Sequence, residues 1–173
     1  MNQYTLLHTL ALQSLDSLTN LIEKAEAHTK EKGLEESALL NASLISGMFN
    51  FTKQVQVATD DARRNICFLA GKEHIKMQDN EMTFAELKER VTKTREVILS
   101  TTGADFEGAD VRHISLFWMG EAYILGKDFV VQFAIPNLMF HVVTAYDILR
   151  AQGVELGKMN FLPKLSMHKG ENA

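Results

Sequence analysis

FVVQFAIPNLMFHVVTAY, residues 129–146, decides how this chain is read. No Asp, Glu, Lys or Arg interrupts it, yet it carries Gln132, Asn137, His141 and Thr144. Polar groups in apolar surroundings cost free energy unless they are hydrogen-bonded or used. The run is of marginal length for a membrane span, and Gln132, Pro136, Asn137 and His141 break its apolar character. A buried helix of a soluble bundle fits it better, with no membrane as partner. Pro136 lacks an N–H and predicts a kink or restart of the helix at that point. Offsets of four and three put Asn137, His141 and Thr144 on one helix face, with Phe133 and Ile148. Only His141 among them titrates near neutrality. It is open to three uses: metal ligand, general base, or structural hydrogen bond to a neighbouring helix.

Outward from this run, Gly126 and Asp128 mark its start and Gln152-Gly153 its end. Val154 onward reads as loop, with a frayed tail at 169–173. Immediately upstream, RHISLFWMGEAYIL (112–125) alternates apolar and polar residues around Met119-Gly120-Glu121. That predicts a short β-hairpin, docked on the rest of the chain through Trp118 and Tyr123. His113 precedes its first strand and reads as surface, though it lies where it could approach a site at a bundle end.

Three further helices precede the hairpin. Thr83 and Glu86 form a capping-box signature ahead of Phe84, Leu87, Val91, Thr94 and Ile98. Met48, Phe51, Val55, Ala58, Ala62, Ile66 and Leu69 give a second apolar stripe ended by Gly71. Gln54 lies beside that stripe near the helix start. Gln56, Asp60, Asp61, Arg63 and Arg64 read as a solvated, ion-paired face. Tyr4, Leu7, Ala11, Leu15, Leu18, Ile22 and Ala25 define the first helix, ended by Gly33. His8 sits at the edge of its stripe and His28 reads as surface. A shorter helical piece, SALLNASLI, is expected after a Ser37 cap. The sum is an all-α chain. It reads as a single domain, 1–173, folded as an up-down-down-up four-helix bundle with a hairpin insert at about 112–125.

Composition narrows the function classes. The 173 residues carry a net charge of −4 with no basic cluster, which excludes nucleic acid as a main partner. Cys67 is the single cysteine, so no intrachain disulfide forms. It reads as an inert buried thiol in a reducing, cytoplasmic protein. The opening MNQYTLLHTLALQSLDSL lacks the basic region and cleavage site of a secretory signal. CxxC, HExxH, GxSxG, ExxH and Gly-rich phosphate-loop patterns are all absent from the chain.

PNLMFHVVTAYDILRAQGVELGKMNFL (136–162), together with LLNASLISGMFNFTKQVQVATDDA and DNEMTFAELKERVTKT upstream, resembles a bacterial family of uncharacterised proteins. That family is catalogued as domain of unknown function nineteen ninety-three. The likeness runs in order over nearly the whole chain. The family looks like a branch of the DinB/YfiT-like superfamily of four-helix bundles, many of which hold a divalent metal with three histidines. One of those comes from the second helix and two come as HxxxH on the last. The resemblance implies that this frame falls on Gln54, Asn137 and His141, so one histidine of three is kept. No cofactor is therefore expected, and any divalent metal would rest on His141, with His8 or His113 as substitute ligands. Three functions are carried forward. The first is a bundle that binds a small ligand or a partner at a polar pocket near Gln54, Asn137, His141 and Thr144. The second is a divalent-metal-dependent transferase or hydrolase-like enzyme using His141. The third is a structural homodimer built on the uncharged last helix.

Overall fold

A computed structural model describes residues 3–168; the expected frayed tail, 169–173, lies outside the described residues. In chain order the helices are α1 (Gln3–Lys32), α2 (Ser37–Leu40), α3 (Phe51–Ala70) and α4 (Phe84–Leu99). Two 3-10 turns and a two-stranded antiparallel hairpin follow, β1 (His113–Ile114) against β2 (Ile124–Leu125). The chain then enters α5 (Gly126–Phe129), a π-turn (Val130–Ala134), α6 (Ile135–Ala151) and α7 (Lys158–Phe161).

Each long helix forms where its apolar stripe has something to bury against. The inward residues of α1, from Leu7 to Ala25, are buried together with those of α3, α4 and α6. Thr83 and Glu86 close the capping box on α4 as expected, and Asn50 caps α3 by accepting from the Lys53 N–H (2.9 Å). Gly71 ends α3 at φ +64°, a left-handed conformation that costs glycine little.

Side-chain links set the helix directions. Asp16–Arg95 (2.6 Å) and Glu26–Lys88 (2.8 Å) make α1 and α4 antiparallel. Gln54–His141 and Asp61–Asn137 make α3 and α6 antiparallel. Gln56 of α3 meets Glu81 just before α4 (2.8 Å), and Lys72 just after α3 meets Asp105 beyond the end of α4 (2.9 Å). Hence α3 and α4 run parallel, α1 runs with α6, and the bundle is up-down-down-up. α1 and α3 lie diagonally across it, each flanked by α4 and α6.

Several local expectations need correction. Ser37 is the first residue of α2 and caps nothing, and α2 stops at Leu40 because the chain must turn to reach Asn50. Met48 precedes α3 instead of opening it. Trp118 does reach Phe133 of the π-turn, ring centroids 6.3 Å apart, while staying 61% exposed, but Tyr123 (51%) does not seat the hairpin. Ile114 and Leu116 do, because they point into the core, while Tyr123 stacks on His113 at 3.7 Å. The segment after α6 is not free loop: Val154 and Leu156 are buried, and α7 packs on α1, with Asn20 donating to the Asn160 carbonyl (2.8 Å). His28, expected on the surface, is half-buried beside that return.

Pro136 does act on the last helix, through a π-turn rather than a sharp break. The wider turn over Val130–Ala134 lets the helix pass a residue that has no N–H to give and whose ring crowds the preceding turn. By length and composition Gly126–Ala151 could cross a membrane. Its inward residues, Phe129, Ala134, Leu138, Val142, Ala145 and Leu149, are instead core of the bundle. At its start the chain passes so close to the preceding turn that a Cβ on Gly126 would meet the Ala109 carbonyl oxygen at 1.9 Å.

Candidate functional site

The face of α6 that carries Asn137, His141 and Thr144 is turned to α3. His141 is 8% exposed, and its Nδ1 lies 2.7 Å from Gln54 Oε1. The other end of the Gln54 amide donates to the Phe49 carbonyl at 3.4 Å, which orients the amide oxygen to the ring. An amide oxygen only accepts, so the ring supplies Nδ1–H and keeps its lone pair on Nε2. Burial lowers the His141 pKa below its ordinary value, which favours the neutral ring at pH 7. Phe140 packs edge-on against it, ring centroids 5.2 Å apart.

Asn137 goes elsewhere. Its Nδ2 donates to Asp61 Oδ2, while Asp61 Oδ1 accepts from Arg64. Asp61 is fully buried, and burial raises its pKa to about 6 despite the opposing pull of Arg64 and Asn137; Asp60 adds to the rise. Thr144 gives its hydroxyl hydrogen to the Phe140 carbonyl (2.7 Å). The structure therefore pairs Gln54 with His141, sends Asn137 to Asp61, and turns the Thr144 hydroxyl back on its own helix. Surface hollows of about 280 to 490 Å³ lie elsewhere, and none of them is lined by these four residues. What they form is a shallow seam between α3 and α6.

Asp61 was hidden in the sequence by its neighbours. Its spacing of seven from Gln54, two helical turns, was the signal that it shares the α6-facing side of α3. The charged face assigned to solvent is also largely covered. Gln56 (5% exposed) and Arg63 (3%) are buried on the side where the connection between α3 and α4 folds back, with Gln56 donating to Glu81, and Asp61 is buried against α6. The anchor of that connection is Arg90 of α4. That guanidinium meets Asp60 (2.9 Å), Asp79 (3.0 Å), Glu81 (2.8 Å) and Thr59 Oγ1 (2.8 Å). Cys67 is buried as expected, and burial raises its thiol pKa.

The residues present do not fit a three-histidine metal centre. Gln54 stands where a ligand would be needed and is spent on the only histidine of the set. Asn137 is turned to Asp61, and a neutral amide is a poor ligand for zinc or nickel. His8 and His113 cannot substitute. His8 packs at a tilt against Tyr4, which meets Phe106 and the Thr101 carbonyl, and Arg112 beside His113 bonds the Leu69 carbonyl. Both lie at the end of the bundle where α3 finishes, whereas Gln54 is in its first turn, and α3 spans about 30 Å. Among the described residues no group of three or more His, Cys, Asp or Glu is placed to hold a metal ion.

The profile of the domain of unknown function DUF1993 matches residues 3–162. The chain belongs to the DUF1993 family. It is also similar to the crystal structure of a DinB family member protein from Shewanella denitrificans. The two share 35% identity, with a TM-score of 0.90 over 98% of this chain and all of that one. The DUF1993 chain thus has the DinB-like bundle that its C-terminal signature implied. No curated protein matches it.

Proposed function

We propose that this DUF1993 protein is a metal-free binding bundle whose ligand docks on the α3–α6 seam, at Asn137, His141 and Thr144, with Gln54 as support. One observation carries this reading. His141 is held in one orientation by Gln54, and its Nε2 has no partner among the described residues, although it is not sealed from solvent. A histidine kept only for packing needs no free lone pair at a surface seam. Asp61 supports the same reading, because a buried carboxylate with a raised pKa is a cost that a purely structural seam would shed. The setting that suits Cys67 is the cytoplasm, and a net charge of −4 suits a ligand or protein partner over nucleic acid.

Fragment screening by NMR tests it. Small polar fragments are expected to move the side-chain signals of His141 and Asn137 together, and His141→Phe is expected to abolish the effect. A screen in which these signals never move while others do would reject the seam as the site. The divalent-metal enzyme remains the alternative, and metal analysis of untagged protein separates the two: stoichiometric metal lost in His141→Ala would replace our reading. A homodimer is favoured by a different observation, the apolar outer side of the last helix. Val131 (52%), Phe140 (55%) and Val143 (39%) are exposed there. Light scattering at micromolar concentration decides it, and a clean monomer removes it.

A further inference from the structure

The outward side of α6 differs from one end to the other. Pro136, Phe140 and Val143 form its exposed ridge, and no charged residue stands between Phe129 and Tyr146. At the π-turn end the hairpin tip lies over the helix as a knob. Trp118 packs on Phe133, ring centroids 6.3 Å apart, and Phe117 beside it is 95% exposed. At the other end the surface sinks into an apolar hollow of about 280 Å³ between Val143, Tyr146 and Phe161, with Asp147 and Lys158 at its rim. Knob and hollow lie on opposite flanks of the ridge. Phe133 is one turn before Asn137, which meets Asp61, so the knob stands toward α3. Tyr146 meets Phe161 of α7, and α7 packs on α1, so the hollow lies toward α1. Both are also about 10 Å along the helix from Phe140, one before it and one after. A twofold axis through Phe140, perpendicular to the helix, reverses both directions at once. It therefore carries the knob of one copy onto the hollow of another.

We infer that a second copy of this chain covers the last helix, antiparallel to it about an axis at Phe140, each copy seating its Phe117 in the other's hollow. The inference rests on the homodimer reading above and fixes its register. From their exposed fractions, Phe117, Trp118, Val131, Phe140 and Val143 present about 700 Å² to solvent, close to the ~800 Å² per partner that a standard interface buries. At the axis Phe140 meets its own twin, where an aromatic pair is favourable and a charge would meet its like. Asp147 and Lys158 are of opposite sign, so the rim of the hollow sets no net charge against an entering ring. The α3–α6 seam runs along the shoulder of the same ridge, so the second copy would form its outer wall.

Light scattering and cysteine crosslinking test this on the full chain, whose own Cys67 is buried and serves as the blank. The unmodified protein is expected to be a dimer at micromolar concentration. Phe117→Asp, at a site exposed enough to leave the melting temperature of the monomer unchanged, is expected to weaken the dimer at least tenfold. Under mild oxidation Phe140→Cys is expected to crosslink to itself, because a twofold axis brings a residue on it against its own copy. Phe117→Cys alone is expected to stay uncrosslinked, and to crosslink once mixed with Lys158→Cys. A clean monomer overturns the inference together with the homodimer reading. A dimer that Phe117→Asp leaves unchanged, or in which the mixed pair fails to crosslink, overturns the inference alone and leaves the homodimer reading standing.

Discussion

Replacing Asp61 by asparagine is expected to make the protein more stable at pH 7, and the gain should vanish in acid. Asp61 is fully buried between α3 and α6, and its pKa is raised from 3.8 to about 6. Burial causes the rise by penalising the charged form; Arg64 and Asn137 offset only part of it. A raised carboxyl pKa means that the folded chain holds the proton more tightly than the unfolded one. Stability tied to this group is fully present below pH 3.8 and is lost as the pH climbs through about 6. A rise of about two pKa units corresponds to about 3 kcal/mol of stability missing at neutral pH. In Asp61→Asn the new amide carries no charge at any pH, and its oxygen can still accept from Asn137. The substitution leaves Arg64 without its partner, but that side chain is 25% exposed and can turn to water. A net gain of about 1 to 3 kcal/mol at pH 7 follows, shrinking toward zero near pH 4. Urea unfolding of both proteins at pH 7, 6, 5 and 4 measures it. A loss of stability at pH 7, or a difference that does not change with pH, would refute the electrostatic account of the seam.

Other perturbations have equally definite outcomes. Arg90→Met should cost about 3 to 5 kcal/mol, because it strands Asp60, Asp79 and Glu81 around an apolar side chain; faster proteolysis within 72–82 should accompany the lower unfolding midpoint. Gly126→Ala should cost more than about 2 kcal/mol, since its Cβ would overlap the Ala109 carbonyl and the helix start would have to shift; thermal melting reports it. Gln54→Leu removes the acceptor from a buried ring N–H and should cost about 1 to 3 kcal/mol in urea unfolding.

The apolar stripes, the capping box at Thr83 and the glycine stop at Gly71 were legible in the sequence, because each is local and follows the helical period. They were enough to place four long helices. The hairpin was legible as alternation, but which of its residues face inward was not. Ile114 and Leu116 are buried while the larger Trp118 is not, a choice made by what lies beneath the strands. The polar face of α3 was misread for a related reason. Its burial depends on Arg90, which reaches residues 30 positions back in α3 and 9 and 11 back in the connection. Nothing local to Arg63 or Gln56 announces such a partner. At the site, Asn137, His141 and Thr144 could be placed on one face from their spacing, and Gln54 opposite them through the family resemblance. The pairing of Asn137 with Asp61 could not, since it depends on the register of α3 against α6. That register gives Asn137 and His141 different partners on α3, and it is why residues expected around one pocket are spread along a seam.

The state of His141 is the most direct test of the account. Nitrogen-15 NMR of the imidazole resolves the two tautomers and the imidazolium, and following it with pH gives the pKa. The hydrogen bond to Gln54 and the burial of the ring predict a neutral Nδ1–H ring at pH 7, titrating below 6.5. A ring protonated on Nε2, or one that titrates at or above 6.5, would contradict the free lone pair on which the binding reading stands.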